Sequence, residues 1–107
     1  VLFDLVREGG YSLNDLPYYL SHKVADRFKI IDRGYIREGY WADCVLVDLE
    51  HKHTVTKENT SYFCGWSPFE GDTFNSKVIS TFVNGKHAYN EGRILETNLG
   101  VQLEFDR

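Results

Sequence analysis

Hydrophobic and polar positions divide the chain near residue 30. Before it, apolar residues recur at helical spacing; after it, they gather in short β-rich runs between glycines. Leu2, Leu5 and Val6 mark a first helix that Gly9-Gly10 stops. Ser12 has the character of an N-cap, with Asp15 three residues on as a capping-box-like partner. Leu13, Leu16, Tyr19 and Leu20 form the apolar stripe of the helix that follows, and Pro17 predicts an irregular start or a kink there. His22 to Phe28 reads as a third helical stretch carrying Val24, Ala25 and Phe28. Ala42 to Leu49 holds Val45, Leu46 and Val47, a run continuous enough for a strand covered on both faces. Thr54-Val55-Thr56 is a shorter strand, after which Thr56, Glu58 and Asn59 begin one helical turn. Val78 to Val83, Asn84-Gly85 and Lys86 to Tyr89 make the clearest local signal, a hairpin with a two-residue type I′ turn. Val101 to Phe105 alternates and is expected as a last edge strand. The fold class predicted is α+β: short helices over residues 1–30, then a mainly antiparallel portion over residues 31–107.

Composition narrows this. The chain has 107 residues, 42% hydrophobic and 26% charged, as expected of a soluble globular domain. A complete (β/α)₈ barrel takes about 250 residues and is excluded. The balance of 12 basic against 16 acidic side chains, without a basic run, argues against nucleic acid or an anionic membrane as partner. Apolar runs such as Cys44-Val45-Leu46-Val47 are far too short to span a bilayer. The chain starts at Val1 without a secretory leader and has no Met, so a piece of something larger is expected. Cys44 and Cys64 fit two reduced thiols in a cytoplasmic protein, with a single disulfide as the alternative.

Candidate chemistry is sparse. His51-Lys52-His53 on a strand would turn both imidazoles to one face and one metal. The competing and preferred reading is a polar turn, since Glu50 and Lys52 favour solvent and no third ligand follows at a recognisable spacing. His22 is placed to cap a helix end, and His87 reads as half-exposed in the hairpin. The segment Gly65-Trp66-Ser67-Pro68-Phe69-Glu70-Gly71 is either a substrate loop or, as preferred, an ordered loop pinned by Trp66 and Phe69. Ser67 lacks the surroundings of a nucleophile elbow, and no phosphate-binding glycine loop is present. Asp4 with Glu8 and Arg37 with Glu38 read as solvated faces, and Asp43 and Asp48 as gatekeepers around an apolar strand. The residues assign no catalytic, cofactor-binding or metal position to the segment.

Three stretches resemble dihydroorotase, a zinc-dependent amidohydrolase. They are Arg33-Gly34-Tyr35-Ile36-Arg37-Glu38-Gly39-Tyr40-Trp41-Ala42-Asp43-Cys44-Val45-Leu46-Val47-Asp48; Cys64 to Gly71; and Val78, Thr81-Phe82-Val83-Asn84-Gly85, Tyr89 and Gly92. The first occurs across hydantoinases, allantoinases and related enzymes, and the second narrows the likeness to dihydroorotase. Lys23-Val24-Ala25 stands where that family often has Asn-Pro-Ala, and Cys44 where it commonly has leucine. The resemblance implies helices from the end of a TIM barrel and part of a small β-sandwich. It also implies a parent enzyme that interconverts N-carbamoyl-aspartate and dihydroorotate in pyrimidine biosynthesis. The zinc ligands would lie upstream, so none falls on this segment and His51 and His53 are not the family's first-strand pair. Zinc and a small-molecule substrate belong to the parent. Allantoinase, dihydropyrimidinase and a non-catalytic dihydroorotase-like scaffold are the alternatives. The segment's own strands and helices, parted from the remainder, are expected to self-associate as a homo-oligomer, a dimer or larger, or else to leave the N-terminal helices partly disordered.

Overall fold

The computed structural model describes residues 1–61, 63–96 and 98–106; Arg107, the end of the expected second portion, lies outside them. Helix α1 spans Leu2–Arg7. It closes as the glycine pair predicts, with Gly9 at φ 83° and the N–H groups of Gly9 and Gly10 donating to Val6 and Leu5. These are the two bonds of a Schellman motif. Asp4, expected in solvent, accepts a bond from the Asn75 N–H (3.2 Å) and ties α1 to the short link between Phe74 and Lys77.

Next comes one continuous helical run: α2 over Asp15–Pro17, a π-helical segment over Tyr18–His22 and α3 over Lys23–Phe28. The Asp15 carboxylate accepts from the Ser12 N–H at 2.9 Å, which is the reciprocal half of a capping box. Pro17 sits in the first turn, where its missing N–H breaks no bond, and the expected irregularity follows it as the π segment. Lys23-Val24-Ala25 continues the helix without a break. Lys29 ends α3 in the left-handed region (φ 55°), with Lys29 N–H donating to Asp26 and Ile30 N–H to Ala25, a second Schellman motif.

The main sheet has four antiparallel strands in the order β1 (Cys44–Asp48), β4 (Lys77–Val83), β5 (Lys86–Asn90), β6 (Arg93–Ile94). A separate two-stranded ribbon pairs β2 (His53–Thr54) with β3 (Thr73–Phe74). The β4–β5 turn has Asn84 at φ 53° and Gly85 at φ 80°, as a type I′ turn requires. Several expectations change. β1 is not covered on both faces: it is an edge strand, and Val45 and Leu46 are 54% and 58% exposed. The ribbon strand begins at His53, one residue earlier than expected, although Val55 still exchanges bonds with Asp72 and Gly71. Thr56 and Asn59 cap each other's N–H groups across a turn, not a helix. Val101–Phe105 is no strand; Phe105 alone forms a bridge, to Ile30. It lies beside the end of α3 and not beside the sheet, so nothing extends its ladder. A second tight hairpin, through Glu91 (φ 48°) and Gly92 (φ 85°), joins β5 to β6.

Little is enclosed. Leu16 (7% exposed) and Ala25 (5%) are the buried hydrophobic residues among those described, while Ile36 is 92% exposed. The radius of gyration is 15.5 Å, against about 13 Å for a compact domain of this length. An extended shape with a small core is what a segment shows when its apolar faces are shaped for other surfaces.

Candidate functional site

The structure concentrates long-range polar contacts where the loop after α3 meets the β4–β5 turn. The loop after α3 brings Arg33 to Asp43 in an ion pair, with the Arg33 side chain 11% exposed. The same Nη1 donates to Asn84 Oδ1 at 2.7 Å. Asp43 Oδ1 accepts the Asn84 N–H at 2.8 Å, and the Gly85 N–H donates to the Ala42 carbonyl at 3.0 Å. The Arg33 guanidinium also lies over the Trp41 ring, 4.9 Å from its centre. Asp43 is therefore no gatekeeper: it pairs with Arg33 and caps the hairpin turn. Asn84 Nδ2 reaches the Leu99 carbonyl, and farther along Glu104 accepts from Ile31 N–H (2.9 Å) and Asp106 N–H donates to Lys29 (2.8 Å). The C-terminal tail thus runs from the hairpin turn back to the end of α3.

One residue on, Gly34 (φ 87°) presses against α3. A Cβ there would stand 2.4 Å from Ala25 Cβ and 3.1 Å from the Ser21 carbonyl. Ser21 Oγ donates to the Gly34 carbonyl at 2.7 Å. Tyr35 stacks on His22 (4.2 Å, 6°); His22 ends the π segment and sits at the N-cap position of α3, with no capping bond from its side chain. Arg37, expected in a solvated pair with Glu38, lies 4.0 Å from the Tyr35 ring centre. The Tyr35 hydroxyl donates to Asp26 Oδ2 at 2.8 Å, and this bond to a carboxylate raises its pKa above the usual phenol value.

The remaining candidates scatter. His51 is on an exposed turn, whereas His53 is half-buried in β2 opposite Phe74 and lines a cavity of about 310 Å³ with Phe3, Val47 and Tyr89. His53 thus leaves the solvent-facing turn expected for the pair, because the strand starts one residue early. In the Gly65–Gly71 loop Ser67, not Trp66, is buried. Its oxygen accepts the Phe69 N–H (3.2 Å), Phe69 packs edge-on against Phe74 (5.9 Å), and Trp66 stays 58% exposed. Cys44 and Cys64 are both free thiols. His87 stacks on Phe82 (4.6 Å), with its Nε2 buried and without a partner among the described residues. Zinc finds no fitting donor set here: among the described residues no three His, Cys, Asp or Glu side chains converge. No helix among the described residues is long and apolar enough to cross a membrane.

This geometry fastens the loop after α3 to the β4–β5 turn and brings no reactive groups together among the described residues. No family model matches the chain. It is 40% identical over 93 residues to an allantoinase of Desulfitobacterium hafniense, covering 87% of this chain and 21% of that protein. It is 39% identical over 88 residues to a dihydroorotase of Clostridium acetobutylicum, covering 82% and 20%. The solved L-hydantoinase (dihydropyrimidinase) of Arthrobacter aurescens superposes with a TM-score of 0.79 at 26% identity, over 85% of this chain and 20% of that one. The chain is a homologue of the dihydroorotases and allantoinases and spans about a fifth of the length of the curated relatives it matches.

Proposed function

We propose that the chain is the C-terminal structural portion of a dihydroorotase, with short helices from the end of the barrel followed by part of the small β-sandwich. The observation that carries this reading is the convergence of two separate motif stretches. Arg33, Gly34 and Asp43 of the first meet Asn84 and Gly85 of the last at a single junction, where they lock helices to sheet. The work of the segment is mechanical. It holds the last helices in place and supplies sheet edges for the rest of the protein, whose upstream residues bind zinc and hydrolyse the ring amide. The parent acts on a small molecule in the cytoplasm as a homo-oligomer.

A second reading, allantoinase, is favoured by the 40% identity to the Desulfitobacterium hafniense protein. The experiment that separates the two is turnover by the zinc-loaded parent protein on dihydroorotate, allantoin and dihydrouracil. The proposal expects dihydroorotate to be consumed with the highest kcat/KM. A preference for allantoin or dihydrouracil overturns it, and inertness on all three assigns the parent to a scaffold role.

A further inference from the structure

Asn84-Gly85 is the single Asn-Gly pair of the chain. Such a pair is chemically labile, because no side chain hinders the second residue's nitrogen. The backbone nitrogen of Gly85 attacks Cγ of Asn84 and loses its proton; the Cγ–Nδ2 bond breaks and ammonia leaves. The five-membered imide that forms is then opened by water to aspartate or isoaspartate. Asparagine is for this reason among the thermolabile side chains.

In this fold the nucleophile is engaged elsewhere and the Asn84 side chain is tethered at both ends, so its Cγ is not free to swing onto the Gly85 nitrogen. The nucleophile, Gly85 N–H, donates to the Ala42 carbonyl at 3.0 Å. The amide oxygen of Asn84 accepts from Arg33 at 2.7 Å, and the leaving nitrogen donates to the Leu99 carbonyl. Arg33 is itself held by Asp43 and stacked on Trp41. We propose that Asn84 is a guarded deamidation site, protected by the Arg33–Asn84–Leu99 contacts, and that its conversion to aspartate releases the C-terminal tail from the hairpin. The product carboxylate has no proton to give the Leu99 carbonyl, and it places a second negative charge beside Asp43. Without the near-end anchor, the far-end bonds from Ile31 N–H to Glu104 and from Asp106 N–H to Lys29 open more readily.

The test incubates the full chain near neutral pH, folded and in urea, and follows isoaspartate and aspartate at residue 84 by peptide mapping. The folded chain is expected to react at least about tenfold more slowly than the unfolded one. Arg33→Gln is expected to close most of that gap; should this variant prove unfolded by circular dichroism, the folded-to-urea ratio of the unaltered chain decides alone. Equal rates within twofold overturn the guard. The second arm reads amide exchange at Ile31 and Asp106 in Asn84→Asp. Faster exchange than in the unaltered chain is expected, and unchanged protection overturns the release.

Discussion

Gly34→Ala is the sharpest test of the junction between helices and sheet. The new methyl would stand 2.4 Å from Ala25 Cβ, whereas two carbons sit comfortably at about 3.5–4.0 Å. Relief requires the loop to retreat by roughly an ångström. That stretches the 2.7 Å bond from Ser21 Oγ to the Gly34 carbonyl beyond hydrogen-bonding range, at a cost of about 1 kcal/mol. Overpacking adds about 1–3 kcal/mol, and a side chain at φ 87° adds about 1–2 kcal/mol of backbone strain. The total, about 3–6 kcal/mol, is a large share of the 5–15 kcal/mol that stabilises a typical domain. Urea unfolding followed by tryptophan fluorescence measures it, with Trp41 reporting from beside Arg33. Protein concentration is held fixed across the variants, because association would add to apparent stability by mass action. Ala25→Gly removes the facing methyl, so the double variant should recover at least about 1 kcal/mol relative to additivity. A Gly34→Ala chain within about 0.5 kcal/mol of the parent, or strict additivity with Ala25→Gly, refutes the close-contact argument.

Three further outcomes follow from the same structure. Lys29→Gly should stabilise the chain by about 1 kcal/mol in thermal unfolding, because the left-handed C-cap of α3 suits glycine better than lysine. Tyr35→Phe should flatten the alkaline limb of the stability–pH profile. The phenol's pKa is raised in the folded state, chiefly by its bond to Asp26, so its contribution is complete below about pH 10 and fades as the pH rises through the folded-state value. Val45→Lys with Leu46→Lys on the exposed edge strand should shift sedimentation of the chain toward monomer; an unaltered chain that is already monomeric at tens of micromolar ends the edge-pairing expectation.

Features whose cause lies within a few residues were readable from the sequence alone. Gly9-Gly10 stops α1, Asp15 reaches back to Ser12, and Asn84-Gly85 turns the β4–β5 hairpin, each through a local conformational preference that needs no distant partner. The family resemblance was legible for the same reason, since it rests on contiguous motifs. The roles of the motif residues were not. Asp43 looks like a solvent-facing gatekeeper until Arg33 and Asn84 arrive from 10 and 41 residues away. Glu91 gives no turn signal of its own; the register of Asn90 opposite Arg93 holds it at positive φ. Trp66 has the greater apolar surface, yet Ser67 is the residue the loop buries, because its hydroxyl can satisfy a backbone N–H. Alternation at Val101–Phe105 announces a strand, but a strand needs a ladder of partners, and the structure pairs Phe105 with Ile30 in a single bridge. Local preference chose the turns and caps. Which side chains were covered, and which strands found partners, was decided by segments far apart in sequence, and no pattern along the chain encodes that meeting.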